Sequence, residues 1–427
     1  MKQIPSSYYR ATATSYAPYA PLQGSAHARI AIVGGGYAGL NTALGLAERG
    51  VRDVVLLERE QVGFGASGRN GGFVFGGYSL GERTLLEQLG EQRARTLFNL
   101  TTAAVERIRE RVKKYAIACD MVEQGVIWAN WFRDPGVLRK RQQLLAEHFD
   151  THWEWLPQQE LRARVRSERY YDGLYEHHAL HLHPLNYAIG LAAAAAGQGV
   201  RVHESSEVRR LRREGTRWRL STAQGELLAD HVVLACGGYL AGLQKRIDRA
   251  ILPIATYVMA TEPLGDRLDD CLQTRAAVYD SRFAFDYYRP LPDTRLLWGG
   301  RISVRNRSPG AVQRLLGHDL LRVFPQLKGV KIDYAWSGLM SYARHQMPQI
   351  GSNGGLWWAQ AFGGHGVAPT CAVGELLAAA IAENDDGWKQ FSNYGLDSTY
   401  RPLGFLGAQA SYWWQQGNDW FKTRLEG

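Results

Sequence analysis

The sequence has 427 residues, of which 45% are apolar and 11% aromatic, and its formal net charge is +9. This length allows one core or two domains that share an interface, and the composition is that of a globular protein. No apolar run is long enough for a helical membrane span. The four cysteines form no CxxC pair that would indicate a disulfide framework or a metal site.

The N-terminus and the spread of charge favour a cytoplasmic protein without a nucleic-acid partner. Residues 1–9 lack the apolar core of a signal peptide, and a reducing compartment fits the cysteine usage. The arginines are dispersed, as in residues 162–166 and 209–213, which favours solvated helix and strand faces over a nucleic-acid surface. Residues 8–22 are aromatic, contain proline and lack helical periodicity, so we expect an extended arm on the surface.

A strand, a glycine turn and a helix follow this arm. Residues 29–33 are predicted to form a buried parallel strand, and residues 38–49 a helix. Between them, Gly34 would permit a tight turn, Gly36 would let a pyrophosphate approach the backbone, and Gly39 would let helix and strand pack closely. The pattern predicts a dinucleotide-binding domain, with the phosphates at the positive end of the helix.

The next predicted strand, residues 54–57, ends at an acidic side chain. Glu58 is spaced to accept hydrogen bonds from a ribose and to reject a 2′-phosphate. The loop of residues 63–72 is rich in glycine and contains Arg69 and Asn70. Its backbone N–H groups suit a pyrophosphate and the edge of a flat ring, although a surface loop is the alternative.

The following block has no dinucleotide features and is predicted to be an insertion. Residues 82–114 have helix-type apolar spacing, residues 125–129 are typical of a strand, and residues 137–148 of a charged helix.

Four histidines then lie within residues 176–185. Imidazole is a common metal ligand, but no carboxylate or thiolate stands at a supporting spacing, and Pro184 would break any helix that aligned them. We therefore predict loop histidines near the cofactor rather than a metal site.

The chain is then expected to return to the first sheet. Residues 185–197 are predicted to be helical, residues 199–203 a strand and residues 208–221 a β-meander. Residues 231–235 read as a buried strand that ends in a second glycine turn at Cys236-Gly237-Gly238. The dinucleotide domain is therefore predicted to be interrupted by insertions.

A second, antiparallel sheet is predicted from residues 253–261, 283–289 and 295–303, with a helix over residues 311–324. Its aromatic residues could form a sandwich core, or a wall that attracts and desolvates an amine. They are Tyr257, Tyr279, Phe283, Phe285, Tyr287, Tyr288 and Trp298.

The last glycine turn decides between NAD and FAD. Residues 356–368 read as a strand and a glycine turn, with a helix over residues 371–383. Backbone N–H groups at this helix N-terminus would stabilise the C2 carbonyl and N1 of a flavin as they gain negative charge on reduction. A nicotinamide enzyme needs no such turn, so the sequence favours FAD.

With these motifs in place, the chain resembles the flavin amine and amino-acid oxidases of the D-amino-acid oxidase type, and within them the gamma-glutamylputrescine oxidases. The matching segments span nearly the whole chain in the family's order. They are SYY (7–9), VGGGY (33–37), GFGASGRNGG (63–72), HLHPLN (181–186), DYYR (286–289), FPQLKGVKIDY (324–334), MPQ (347–349) and GHGV (364–367).

The resemblance implies an α/β fold, in which a Rossmann-like FAD-binding domain of glutathione-reductase type is interleaved with an α+β substrate domain on an antiparallel sheet. The FAD domain would comprise residues 1–85, 185–250 and 345–427, and the substrate domain residues 86–184 and 251–344. FAD would be non-covalent. Its predicted ligands are Gly34, Gly36, Tyr37, Ala38, Gly39, Glu58, Arg59, Gly65, Ala66, Ser67, Arg69, Asn70, Gly71, Gly72, Val208, Ala235, Gly237, Gly364, His365, Gly366 and Val367.

Departures from related oxidases limit the substrate. Met340 stands where glycine oxidases carry an arginine for the α-carboxylate, which argues against a simple α-amino acid. Residues 295–301 lack the oxygen-activating lysine of sarcosine oxidases, which argues against rapid use of O₂. The electron acceptor would be O₂ or another molecule. Phe73 and Arg301 replace a glutamine and a small residue of the similar family, and both could alter the substrate pocket.

These features predict oxidative deamination of an amine such as gamma-glutamylputrescine or a related acylated diamine. Hydride would pass from the amine-bearing carbon to flavin N5, and the imine would hydrolyse. The candidate catalytic residues are His365, which could equally be structural, and Arg301 and Tyr342, which could bind the distal end of the substrate. The alternatives are a flavin dehydrogenase of a secondary amine or N-methyl amino acid, a basic RNA-modifying flavoprotein, and a flavin-binding scaffold without turnover.

Overall fold

The computed structural model describes residues 7–426. Residues 1–6 and 427, on which part of the signal-peptide argument and the ends of two domain ranges rest, lie outside the described residues. The α-helices are α1 (Tyr8–Ala11), α2 (Tyr37–Glu48), α3 (Glu82–Leu89), α4 (Glu91–Lys114), α5 (Gly136–Phe149), α6 (Gln158–Arg164), α7 (Pro184–Gly197), α8 (Lys245–Arg249), α9 (Pro309–Val323), α10 (Val367–Glu383) and α11 (Leu403–Leu425).

The strands fall into two large sheets and one short pair. They are β1 (Gly24–Val33), β2 (Val54–Leu57), β3 (Phe73–Val74), β4 (Val126–Ala129), β5 (Glu154–Leu156), β6 (Gly173–Glu176), β7 (Leu180–His181), β8 (Arg201–His203), β9 (Arg210–Glu214), β10 (Arg217–Ser221), β11 (Gly225–Leu234), β12 (Leu252–Thr261), β13 (Ala277–Asp280), β14 (Asp286–Pro290), β15 (Leu296–Ser303), β16 (Ile332–Tyr342), β17 (Gln349–Asn353) and β18 (Leu356–Gln360).

The first sheet has the order β17-β18-β11-β1-β2-β8, and its central pairs are parallel. Alternate residues of β1 bury opposite faces. Ile30 and Ile32 pack with the helices α2, α7 and α10, whereas Ala31 and Val33 pack on the side of the β-meander. Because β11 pairs with β1, the predicted return of the chain to the sheet of the first glycine turn is confirmed.

The second sheet has the order β16-β12-β15-β14-β13-β4-β6-β5 and is antiparallel apart from the β13–β4 pair. The predicted strands of residues 253–261 and 295–303 are confirmed, and the strand predicted over residues 283–289 begins later, at Asp286. The α/β fold with a Rossmann-like sheet and a second antiparallel sheet is therefore as the sequence predicts. The exact domain boundaries stay predictions.

The structure corrects two local expectations and contains one long helix that was not predicted. The helical segment of residues 82–114 is broken because Gly90 adopts a φ of 75° between α3 and α4. Tyr8 and Tyr9, predicted to lie on a surface arm, are buried in α1, and the Tyr9 ring centre lies 5.3 Å from that of Trp336. The long helix α11 was not predicted, and it packs beside β15, with Tyr412 as its buried residue.

Within the described part of the chain, no helix is both long and apolar enough to span a bilayer.

Candidate active site

One cavity of about 1520 Å³ lies between the two sheets. It exceeds the usual range for a small-ligand pocket, about 300–1,000 Å³, so it has room for a dinucleotide together with a substrate. All the predicted cofactor residues except Gly39 and Gly72 line it, as do His365, Arg301 and Tyr342. Segments far apart in the sequence therefore meet around one space.

The first glycine turn presents its backbone to this cavity. A Cβ at Gly34, where φ is 114°, would lie 2.6 Å from the carbonyl oxygen of Ala235, and one at Gly39 would lie 2.0 Å from that of Gly34. Both positions therefore exclude a side chain for packing reasons. At Gly36 the nearest atom would be Ser67 Oγ at 3.0 Å, and the rest of the space is open, as approach of a phosphate requires.

Glu58 closes the end of β2 beside this turn. Its Oε2 accepts a hydrogen bond from the Gly35 N–H at 2.6 Å and its Oε1 accepts one from the Glu60 N–H at 2.9 Å. Burial raises the pKa of Glu58, although both N–H donors oppose the shift. The carboxyl group is thus held at the cavity wall, where a ribose hydroxyl could reach it.

The loop of residues 63–72 is ordered by its own side chains. Ser67 Oγ accepts the Tyr37 N–H at 2.9 Å, and Asn70 Nδ2 donates to the carbonyl oxygens of Ala66 and Ser67. Arg69 Nε donates to the carbonyl oxygen of Phe64 at 2.8 Å, and the guanidinium lies 4.7 Å from the centre of that residue's ring. The loop is a shaped wall of the cavity.

The third glycine turn lines the same cavity and lies at the same edge of the sheet as the first, because β18 and β1 both run parallel to β11. Gly366 precedes α10 without a side-chain cap, and the N-terminus of α2 likewise has no side-chain cap. A Cβ at Gly364 would lie 2.8 Å from the Tyr342 hydroxyl, whose pKa burial raises to about 12. Two uncapped helix N-termini around one cavity suit a ligand with a pyrophosphate and a second centre of negative charge.

His365 is enclosed at this turn. Its ring centre lies 4.2 Å from that of Phe75, and no partner is found for its buried Nε2 among residues 7–426. Burial lowers the pKa of His365 from 6.5 to about 4. The imidazole is therefore neutral at pH 7.

The pKa of His365 makes a prediction about stability. The folded protein excludes a proton that the unfolded chain binds below pH 6.5, so the stabilisation is complete above pH 6.5 and is lost as pH falls towards 4. Between pH 7.5 and 5 we expect the wild-type apoprotein to lose about 2 kcal/mol of unfolding free energy relative to His365→Gln. Urea unfolding at both pH values measures this, and His365→Asn should behave alike. A pH-independent difference would contradict the prediction.

The aromatic residues of the second sheet divide between its two faces. Tyr288 and Trp298 stack at 4.6 Å in the core against Phe324. Tyr279 and Tyr287 lie on the cavity side, with further aromatic side chains around them. This cavity-facing group, here called the aromatic wall, consists of Phe73, Phe75, Trp128, Tyr279, Phe285 and Tyr287.

The Arg301 side chain forms an ion pair with Asp319. Its Nε and Nη2 donate to the buried Asp319 carboxylate at 2.7 and 2.6 Å. The backbone at Arg301 is left-handed, with φ of 58°, beside a bulge in the β12–β15 pair. This pairing leaves a partly neutralised side chain at the cavity edge.

The histidine-rich segment is divided among different partners. His181 Nε2 lies 2.7 Å from the carbonyl oxygen of Arg275, and His183 Nδ1 accepts the Asn186 N–H at the start of α7. His177 pairs with Glu154 at 2.5 Å. Residues 7–426 contain no group of three His, Cys, Asp or Glu side chains suited to a metal ion.

Several residues that line the cavity were not predicted from the sequence. Glu82, Trp128 and Arg141 come from the block interpreted as an insertion, and Gln409 and Tyr412 come from α11. The alternation in residues 125–129 could have placed Trp128 on one face of a strand. Arg141 stands among similar charges on a charged helix, so no signal distinguished it.

Comparison with known proteins agrees with this site. The family described as DAO, FAD dependent oxidoreductase, matches residues 29–380. "Gamma-glutamylputrescine oxidoreductase" of Escherichia coli K12 is 37% identical over 92% of each chain. "Probable oxidoreductase OrdL" of Haemophilus influenzae is 33% identical over 92% of each chain.

A solved structure shows the same fold. Glycine oxidase from Geobacillus kaustophilus superposes with a TM-score of 0.71 at 24% identity, and the alignment covers 87% of this chain and 99% of that one. The open space at Gly36, the two uncapped helix N-termini and the size of the cavity fit FAD. The chain therefore belongs to the DAO family of FAD-dependent oxidoreductases.

Proposed function

We propose that this protein uses FAD to oxidise a primary amine carried by an acylated diamine of the gamma-glutamylputrescine type. The observation that carries the proposal is that the three glycine turns and the aromatic wall line the same cavity. A small molecule held against the aromatic wall would lie next to a dinucleotide bound by those turns.

The aromatic wall accounts for how an amine would be made reactive. The Phe75 and Tyr279 rings are stacked at 5.7 Å, and the Phe73 and Tyr287 rings meet edge to face at 5.4 Å. Such a surface attracts a cation but disfavours its charged form once water is excluded, so it lowers the pKa of a bound amine. A neutral amine needs no strong side-chain base.

His365 and Tyr342 would orient the reactants. Neutral His365 can accept or donate one hydrogen bond through its unpartnered Nε2, and Tyr342 keeps its proton at neutral pH. Bound FAD would accept the two electrons from the substrate. We propose that Gly34, Gly36, Glu58, Ser67 and Val208 hold its ADP half and that the turn of residues 364–367 holds the flavin end.

The substrate assignment draws on similarity and on one substitution. The E. coli relative bears the name gamma-glutamylputrescine oxidoreductase, and its similarity extends over nearly the whole chain. Met340 lines the cavity near the third turn and offers no cation for an α-carboxylate. An amine with a long acyl substituent suits so large a cavity better than glycine does.

Anaerobic titration tests the proposal. We expect gamma-glutamylputrescine to bleach the visible flavin band stoichiometrically, whereas glycine and sarcosine should leave it intact, because only the acylated diamine fills the cavity. The measurement is the flavin absorbance of the purified holoenzyme against added amine. Bleaching by sarcosine or another N-methyl amino acid, and by no diamine, would replace this proposal with the secondary-amine alternative.

The rate at which the reduced flavin reoxidises in air shows whether O₂ is the electron acceptor. Residues 295–301 contain no lysine to assist O₂, so we expect the reduced flavin to persist for many turnover times in air and to reoxidise quickly with an artificial electron acceptor. Stopped-flow absorbance distinguishes the two. Rapid reoxidation in air would identify an oxidase.

A further inference from the structure

A charged cluster lies against the aromatic wall and near His365. Arg141 of α5 donates through Nη2 to Glu82 Oε1 at 2.6 Å, and Glu176 of β6 lies beside this pair. The Arg141 guanidinium lies 4.4 Å from the centre of the Trp128 ring, which stacks on Tyr279 at 5.6 Å. The cluster is therefore continuous with the surface proposed to hold the amine.

Two atoms of this cluster have unused hydrogen-bonding capacity. Within residues 7–426, neither Arg141 Nε nor Glu176 Oε2 has a hydrogen-bond partner, although both are buried. Arg141 and Glu82 both line the cavity, and 28% of the Arg141 side chain remains accessible there. Orphaned buried polar groups are costly, so a purely structural ion pair would be expected to satisfy them.

The charges of the cluster select a type of ligand. Burial raises the pKa of Glu176 to about 8, against the influence of the Arg141 cation, so at pH 7 this carboxyl group is largely protonated. The opposite charges of Arg141 and Glu82 then cancel, so the cluster has no net charge. An electrically neutral site with a guanidinium and carboxyl oxygens complements a head group that carries both a carboxylate and an ammonium.

We propose that Glu82 and Arg141, with Glu176 behind them, form a subsite that binds the zwitterionic amino-acid head of the substrate, with its carboxylate on Arg141 and its ammonium on Glu82. This inference rests on the proposed function and deepens it. The aromatic wall holds the reacting amine, and the cluster selects an amine whose far end is an α-amino acid. Acylated diamines without that head would lack a partner for Arg141.

The test measures binding without turnover. Gamma-glutamyl-n-butylamide keeps the head group but lacks the reacting amine, and N-butylacetamide lacks both. By calorimetry on the holoenzyme, we expect Arg141→Met to weaken binding of the glutamyl compound by about 30-fold or more and to change that of N-butylacetamide less than about 2-fold. Arg139→Met is the matched control, since Arg139 lies on the same helix, stacks on Trp155 and does not line the cavity.

Kinetics give a second readout. For gamma-glutamylputrescine we expect Arg141→Met to raise KM by a similar factor with little change in the limiting rate of flavin reduction, whereas KM for N-acetylputrescine should stay within about 2-fold. If Arg141→Met is unstable, the double variant Glu82→Gln/Arg141→Met removes both charges and should show the same selectivity. Equal losses for both substrates would overturn the subsite.

The two proposals fail in different ways. If the glutamyl compound binds through Arg141 but no amine reduces the flavin, the oxidation is rejected and the head-group site stands. If gamma-glutamylputrescine is oxidised and Arg141→Met binds the glutamyl compound as tightly as the wild type, the subsite alone is rejected.

Discussion

Replacing Gly36 by valine is expected to give a folded protein that no longer retains FAD. The backbone at Gly36 has φ of −86° and ψ of 179°, which any residue can adopt, and the closest atom to a Cβ there would be Ser67 Oγ, at 3.0 Å. The valine methyl groups would instead occupy the space proposed for the pyrophosphate. We expect the affinity for FAD to fall by about 100-fold or more, which corresponds to roughly 3 kcal/mol.

The measurement is the flavin absorbance per polypeptide after purification, followed by titration of the apoprotein with FAD. Gly197→Ala is the control, because a Cβ at that helix end meets no atom within 4 Å and Gly197 has no left-handed φ. An unchanged unfolding midpoint of the Gly36→Val apoprotein would show that folding is intact. Full retention of FAD by Gly36→Val would contradict the role assigned to the first glycine turn.

Arg111→Met is expected to produce a large loss of stability. The Arg111 side chain is 1% exposed and connects α4 to α2 and α10. Its Nη2 pairs with Glu48 of α2 at 2.5 Å and with Glu375 of α10, and its Nη1 donates to Asn41 of α2 at 2.8 Å. Removing the cation leaves two carboxylates in a largely buried site. Because Arg107 remains 3.6 Å from both, we expect a loss of about 3 kcal/mol, near the lower end for a broken buried pair.

Chemical unfolding of the apoprotein measures this loss. Arg93→Met on the same helix is the control, since Arg93 is exposed and makes one hydrogen bond to Asn393, so its loss should stay below about 1 kcal/mol. Adding Glu48→Gln and Glu375→Gln to Arg111→Met should recover part of the stability because the two carboxylates left in the largely buried site are then neutral. Similar losses for Arg111→Met and Arg93→Met would contradict the prediction.

The parts of the fold that depend on local rules were predictable from the sequence. Residues 54–57 form β2 as expected because a short, fully apolar run before an acidic residue is typical of a buried parallel strand. The helix after the first glycine turn spans Tyr37–Glu48, within a residue of its predicted bounds at each end. In contrast, α10 begins at Val367, four residues before its predicted start, because Pro369 is tolerated in a first turn.

The sequence by itself determined the cofactor class and the family, because a dinucleotide turn depends on glycines at fixed spacing and on the strand and helix that flank them. The tertiary structure alone decided which distant side chains face the substrate. Arg141 and Trp128 join the cavity because β4 pairs with β13 in register and α5 lies across that edge, and Arg301 is turned to Asp319 by a bulge. Such contacts arise from long-range pairing and packing, which no local pattern of residues encodes.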